Sequence, residues 1–230
     1  MRKIAYVMPI VVLSVFLAGS AFAAPSAKFT ANVPNVTLVG QTDASQNWTS
    51  ILTASLKTPN QKDLLIGVSL ETGLYTQTKV AGKNGESSTS TALAGITVRV
   101  KIDGDIVNPG PITFDKRSQT LSAVLGGVIE SCTDANGDGT IVIGEDCVVT
   151  DEVIELILDT MAAHHFNFVA ANLTPGMHTI LVEAAININS NVTSSNDFAS
   201  AKALVGFGSL TVEEVRATNN PDGISFEFEF

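Results

Sequence analysis

The chain has 230 residues, 13 basic and 23 acidic, for a net charge of -10 at pH 7. A surface this acidic repels nucleic acid, which argues against a binder of the phosphate backbone. Hydrophobic residues make up 45% of the chain and there are only two cysteines, which excludes a disordered chain, a collagen-like chain and a disulfide-dense miniprotein.

The first predicted element is an export leader. Met1-Arg2-Lys3 is a short positive start, Ile4 to Ala18 is almost entirely apolar, and Ala21-Phe22-Ala23 sets small residues where a signal peptidase cuts. Residues 1–23 are therefore expected to be a signal peptide, with a single domain over 24–230. The apolar run is short for a bilayer span, which takes about 20 residues, and no later stretch supplies one. Arg2 and Lys3 leave with the leader, so 11 basic residues remain against 23 acidic, a net of -12 over 207 residues. The expected localisation is secreted, periplasmic or cell-surface, an oxidising setting. Cys132 and Cys147 then have only each other as intramolecular partners.

Strand patterns follow in chain order. Ile51 to Leu56 mixes apolar residues with Thr and Ser, and Leu64 to Leu70 is an apolar run. Ile96, Val98, Val100 and Ile102 alternate with Thr97, Arg99 and Lys101, the period of a strand with one buried face. Ile180 to Ile188 and Leu204 to Val215 continue the pattern. Turn signals separate these runs: Asp103-Gly104, Pro109-Gly110-Pro111, Pro175-Gly176 and Pro221-Asp222-Gly223. Lys79 to Thr91, rich in Gly, Ser and Thr, reads as a long mobile loop, and Ile186 to Ala201 as the site of a second. Many strands with Gly/Pro turns predict an antiparallel β-sandwich, immunoglobulin-like or jelly-roll-like.

Residues 134–145 read Asp-Ala-Asn-Gly-Asp-Gly-Thr-Ile-Val-Ile-Gly-Glu. This segment resembles the calcium loop of EF-hand proteins and the related loops of dockerin and thrombospondin repeats. The resemblance places Asp134, Asn136 and Asp138 at loop positions one, three and five, and Gly139 at the sharp turn. Thr140 would offer its carbonyl, Ile141 would anchor the loop, and Glu145 would close the ion with both oxygens. Calcium is a hard cation that takes six to eight oxygens, and this spacing supplies them. A helix does not enter the loop as in an EF-hand, because Gly126-Gly127 makes Leu121 to Glu130 a poor helix. Cys132 and Cys147 bracket the loop. A bridge between them would close about 15 residues and contribute roughly 3 kcal/mol in the chain-entropy model.

Thr150 can cap a helix that opens with Asp151 and Glu152. Val153, Ile157 and Met161 recur at helical spacing, with Ile154, Leu156 and Leu158 widening the stripe. That predicts a short α-helix ending near His165 and an inserted excursion over about 127–165. Adjacent His164 and His165 would diverge and could not chelate one metal. Further on, Leu173 to Ala184 resembles a Leu-x-x-Gly turn and strand of bacterial immunoglobulin-like and fibronectin-like domains. There His178 stands where such folds carry a Tyr bonded back to the turn, which implies a structural histidine.

No Gly-x-Ser-x-Gly, phosphate loop with Lys, His-Glu-x-x-His or Cys-x-x-Cys occurs. Asn35, Asn47, Asn172 and Asn191 each begin an Asn-x-Thr triplet, which matters only in a glycosylating host. The C-terminal Ser-Phe-Glu-Phe-Glu-Phe230 alternates as an edge strand does, or as the last strand of an outer-membrane barrel, although one Trp and two Tyr are few for barrel girdles.

The expected function is a non-enzymatic, calcium-stabilised surface or matrix component for adhesion or assembly. Its partners would be itself or extracellular glycan or protein surfaces, not nucleic acid. A calcium-assisted carbohydrate-binding module, for whose aromatic face Trp48, Tyr75 and the Phe residues are few, and a hydrolase with an unrecognised carboxylate pair, are the alternatives. An unpaired edge strand would favour assembly, an aromatic face the sugar binder, and a cleft of perturbed carboxylates the enzyme.

Overall fold

The computed structural model describes residues 29–33, 35–41 and 47–215. The leader, the Pro221-Asp222-Gly223 turn and the C-terminal alternation lie outside them. In chain order the elements are β1 (Phe29–Asn32), β2 (Asn35–Gln41), β3 (Thr49–Thr58), β4 (Lys62–Gly82), β5 (Glu86–Ile102), β6 (Asp105–Ile106) and β7 (Ile112–Leu125). Then come β8 (Val128–Cys132), α1 (Ile143–Asp146), β9 (Cys147–Thr150), β10 (Glu152–Leu173), β11 (Gly176–Val192) and β12 (Phe198–Val215).

All strand pairs are antiparallel. In the first sheet β1 and β2 lie end to end along β12, followed by β4 and then β10. In the second, β3, β11 and β5 follow in order, with β6 and β7 both on the far side of β5. Taking β1 with β2 and β6 with β7 as interrupted strands leaves two four-stranded sheets, between which the chain repeatedly crosses. That is the order of a jelly roll. The immunoglobulin-like alternative does not describe it, since that order keeps the first two strands in one sheet.

The core follows from period two. Ile96, Val98, Val100 and Ile102 of β5 are all buried, as their alternation predicts. They meet Leu64, Ile66, Val68 and Leu70 of β4, Ile180 and Val182 of β11, Leu210 and Val212 of β12 and Phe168 of β10 in one cluster. Each such side chain stabilises the fold by about 1.5–3 kcal/mol. Farther along β4 the interior becomes polar: Thr72, Thr76 and Thr78 are buried, as are Ser88, Ser90 and Gln119 opposite.

Three expectations give way here. The segment predicted as a helix from Thr150 to His165 is strand: β10 pairs with β4 without a break from Glu152↔Gly82 to Ala170↔Leu64. Its apolar residues fit a helical stripe only because a strand exposed on both faces carries apolar side chains at odd and even positions alike. The one helix among the described residues is the four-residue α1 inside the calcium-like loop. Consequently only Val128–Thr150 leaves the two sheets, a shorter excursion than 127–165.

The expected loop at Lys79 to Thr91 is instead the end of β4, a tight turn and the start of β5. Asn84 and Gly85 reverse the chain with φ of 60° and 77°, a left-handed pair that Asn-Gly adopts readily. The Ser-rich start of β5 stays extended because Ser90 Oγ donates to the Phe198 carbonyl at 2.6 Å and Ser88 Oγ donates to Asp197. In the second expected loop, β11 runs on to Val192 and β12 starts at Phe198, so only the short link between them is irregular.

Candidate functional site

The excursion starts from a small hairpin. β8 and β9 pair with Cys132 opposite Cys147, and the two are joined by a disulfide with Cα atoms 4.0 Å apart. The loop between them is organised by Asp134. Its Oδ1 accepts from the N–H groups of Gly137 (2.6 Å) and Asp138 (3.2 Å), and its Oδ2 from Gly139 (2.8 Å). Gly139 takes φ of 83°, the left-handed turn for which its position demands glycine. Asn136 Oδ1 accepts from Asp138 N–H at 3.0 Å, and Asp138 Oδ1 from Thr140 N–H at 2.8 Å.

Asp134, Asn136, Asp138 and Thr140 are thus drawn into one hydrogen-bonded turn. Glu145 is not: it lies exposed on α1, and none of the loop's hydrogen bonds reaches its carboxylate. Among the described residues no three His, Cys, Asp or Glu side chains converge, and no lysine or arginine forms an ion pair with Asp134, Asp138 or Glu145.

Asp146 is the residue that sequence reasoning missed. It is buried, and its carboxylate accepts from Ala135 N–H at 3.1 Å and Val142 N–H at 2.8 Å. Its carbonyl accepts from Thr133 N–H at 2.8 Å, so one residue ties both ends of the loop beside the disulfide. Its place next to Cys147, at the foot of the loop, was the available signal.

From this hairpin the chain enters β10, the edge strand of the first sheet. Val153, Ile157 and Met161 on its outer face are 52%, 51% and 56% exposed, and Ile154, Leu156 and Leu158 on the other face are exposed too. Val128, Ile129, Ile141, Val142, Ile143 and Val148 are also exposed in the adjoining excursion, so these two neighbouring elements hold much of the exposed apolar surface. An exposed, apolar, unpaired edge is a template for another strand.

Side chains of β7 hold this edge from the opposite sheet. Gln119 Oε1 accepts from Thr76 Oγ1 at 2.6 Å, while Nε2 donates to Thr78 Oγ1 (2.6 Å) and the Leu156 carbonyl (2.8 Å). Arg117 Nη1 donates to the carbonyls of Leu74 (3.1 Å) and Leu158 (3.2 Å), and Nη2 to Thr160. Asp115 accepts from Thr72 Oγ1 at 2.7 Å and lies 3.5 Å from His164 Nε2. Neighbouring His165 points to the other face, bonded to Ser69 at 2.8 Å and Asn167 at 2.9 Å, so the two histidines do diverge.

The features that would mark the alternatives are dispersed. Trp48 packs on Arg99 with 4.0 Å from guanidinium to ring centre, over the second sheet, whereas Tyr75 lies near Lys202 on the first. These two aromatics share no platform. A hollow of about 400 Å³ on the first sheet, lined by Val33, Ser69, Ala163 and Phe207, holds a single carboxylate, Glu71. Burial raises the Glu183 carboxyl pKa, but Arg99 at 2.6 Å and Lys101 at 3.1 Å outweigh it and hold it below the usual range. His178 is structural: Nδ1 meets Asp103 Oδ2 at 2.7 Å and Nε2 meets the Thr174 carbonyl of the turn at 2.8 Å. Among the described residues no helix is long and apolar enough to cross a membrane.

No family model and no curated protein matches this chain. Among solved structures, it is similar to that of infectious bursal disease virus Gx strain at 11% identity and a TM-score of 0.26, over 92% of this chain and 43% of that one. It is also similar to a CocE/NonD family hydrolase, SACOL2612, from Staphylococcus aureus at 12% identity and a TM-score of 0.21, over 85% and 38%. A VP2 subviral particle of infectious bursal disease virus gives 9% and 0.20, over 94% and 47%. The chain spans less than half of each of these proteins, and likenesses this loose carry no argument.

Proposed function

We propose that the chain is an exported, calcium-stabilised jelly roll that acts without catalysis, as an adhesion or assembly component of a surface or extracellular matrix. The observation that carries this reading is β10: an edge strand that, among the described residues, has no partner beyond β4 over most of its length and is lined with exposed Val, Ile, Leu and Met. Its partners would be further copies of the chain or extracellular glycan or protein surfaces. The leader expected over residues 1–23 supplies the route out, and the Cys132–Cys147 bridge suits an oxidising compartment.

Calcium fits the loop by donor chemistry. Asp134, Asn136 and Asp138 offer side-chain oxygens, Thr140 its carbonyl and Glu145 a carboxylate free to swing in, all of them hard ligands. The ion would supply a structural cross-link and offset negative charge that no basic side chain among the described residues pairs with. It would hold the excursion next to β10 in one shape. Size-exclusion chromatography with and without calcium tests the reading. Association that weakens on chelation supports it, and a monomer under every condition contradicts it.

A further inference from the structure

We infer that β10 pairs with β10 of a second copy, antiparallel, about a two-fold axis beside Leu158. This deepens the assembly reading and rests on it. The backbone fixes which groups are free. The Val169 N–H donates to the Asn108 carbonyl at 3.0 Å, on the side of β10 away from β4. The β10–β4 register is unbroken from 152 to 170, so alternation turns the N–H and C=O of every odd residue to that side. At Val169 the Asn108 loop closes the edge. From Val153 to Asn167 it is open, and no hydrogen bond to another described element caps those odd residues.

Charge selects both the partner and the register. The acidic residues Glu152, Glu155 and Asp159 lie in the first part of the strand, and His164 and His165 in the last. Antiparallel pairing of two copies sets acidic part against histidine part. An axis at Ile157 would place Glu155 opposite the other copy's Asp159, and an axis at Asp159 would oppose two aspartates. Like charges directly opposite are destabilising. The axis at Leu158 avoids both. It sets Glu152 against His164 and centres the apolar run Val153 to Ala163 on itself. The eight-strand sheet so formed is continuous, with Val153, Ile157 and Met161 on one face and Ile154, Leu156 and Leu158 on the other.

In this arrangement Leu158 faces its own copy in a non-hydrogen-bonded pair, with Cα atoms about 4.5 Å apart, inside the disulfide range. The test is mild oxidation of the full mature chain carrying Leu158→Cys, with Met177→Cys, more exposed on β11 (65% against 41%), as the control. The expected result is a covalent dimer that forms at least tenfold faster at 158. Adding Ile157→Pro abolishes it, because this proline removes only an outward N–H and leaves the bonds to β4 in place. Ile157→Lys, which keeps the backbone intact, slows it in the same way. An assembled wild type without a 158–158 bridge overturns this pairing and leaves the assembly reading standing. So does a mixture of Leu158→Cys and Phe228→Cys chains that links 158 to 228. A wild type that sediments as a monomer at all concentrations overturns both.

Discussion

Arg117 on β7 reaches across the sandwich and donates to the carbonyl of Leu158 on β10 at 3.2 Å, so a side chain of one sheet grips the edge strand of the other. Gln119 does the same to Leu156, two residues along. These contacts hold β10 in extended form where its apolar side chains give it little burial of its own.

Replacing Arg117 with Met removes charge-assisted bonds to Leu74, Leu158 and Thr160 while keeping an apolar stem. Such bonds are worth about 1.5–3 kcal/mol when buried, and partial exposure of Arg117 puts the expected loss at about 1–2 kcal/mol. Urea unfolding measures it. Faster amide exchange confined to residues 153–163 is the local signature.

Asp134→Ala and Glu145→Ala are each expected to abolish calcium heats in calorimetry. For a site in the extracellular range of about 10⁻⁴–10⁻³ M, 10 mM calcium stabilises the wild-type excursion by about 1.4–2.7 kcal/mol. Equal heats for wild type and variants would count against the site.

Asp146→Asn keeps the shape but halves the acceptor strength at the loop's foot. Together with Cys132→Ser and Cys147→Ser, it is expected to loosen residues 133–146, the cysteine pair costing up to about 3 kcal/mol locally. Proteolysis inside the loop with an intact sandwich is the outcome to look for, since β8 and β9 join neither main sheet.

The His178–Asp103 pair gives stability a pH dependence. The hydrogen bond to Asp103 raises the His178 pKa above its ordinary 6.5, with burial opposing. The Thr179 N–H and then His178 lower that of Asp103 below 3.8. The histidine contribution is complete below about pH 6.5 and is lost as pH rises through the folded-state value. The aspartate contribution is present above about pH 4 and is lost below it. Thermal melts of wild type should therefore weaken from pH 6 to pH 8, and His178→Gln should flatten that slope.

The sandwich was legible because its central strands have one wet face. Thr97, Arg99 and Lys101 point out while Ile96, Val98 and Val100 point in, and period two shows through. β10 defeated the same reading because neither face of its first half is covered, so apolar residues fall at every spacing and a helix fits as well. The Asn84-Gly85 reversal was hidden in a Ser- and Thr-rich stretch whose hydroxyls turn out to bond inside the sandwich. In the excursion, Asp134, Asn136 and Asp138 could be found because their roles depend on local spacing. Asp146 could be placed beside Cys147 at the loop's foot, but not its role, which depends on which backbone groups the fold brings back to it.

Sedimentation velocity on residues 24–230 over a hundredfold concentration range, in calcium, tests the central claim most directly. The account predicts a concentration-dependent shift from monomer to larger species for wild type, and monomer alone for a chain carrying both Ile157→Lys and Met161→Lys. A single monomeric boundary for wild type throughout, or an identical shift for that double variant, would contradict it.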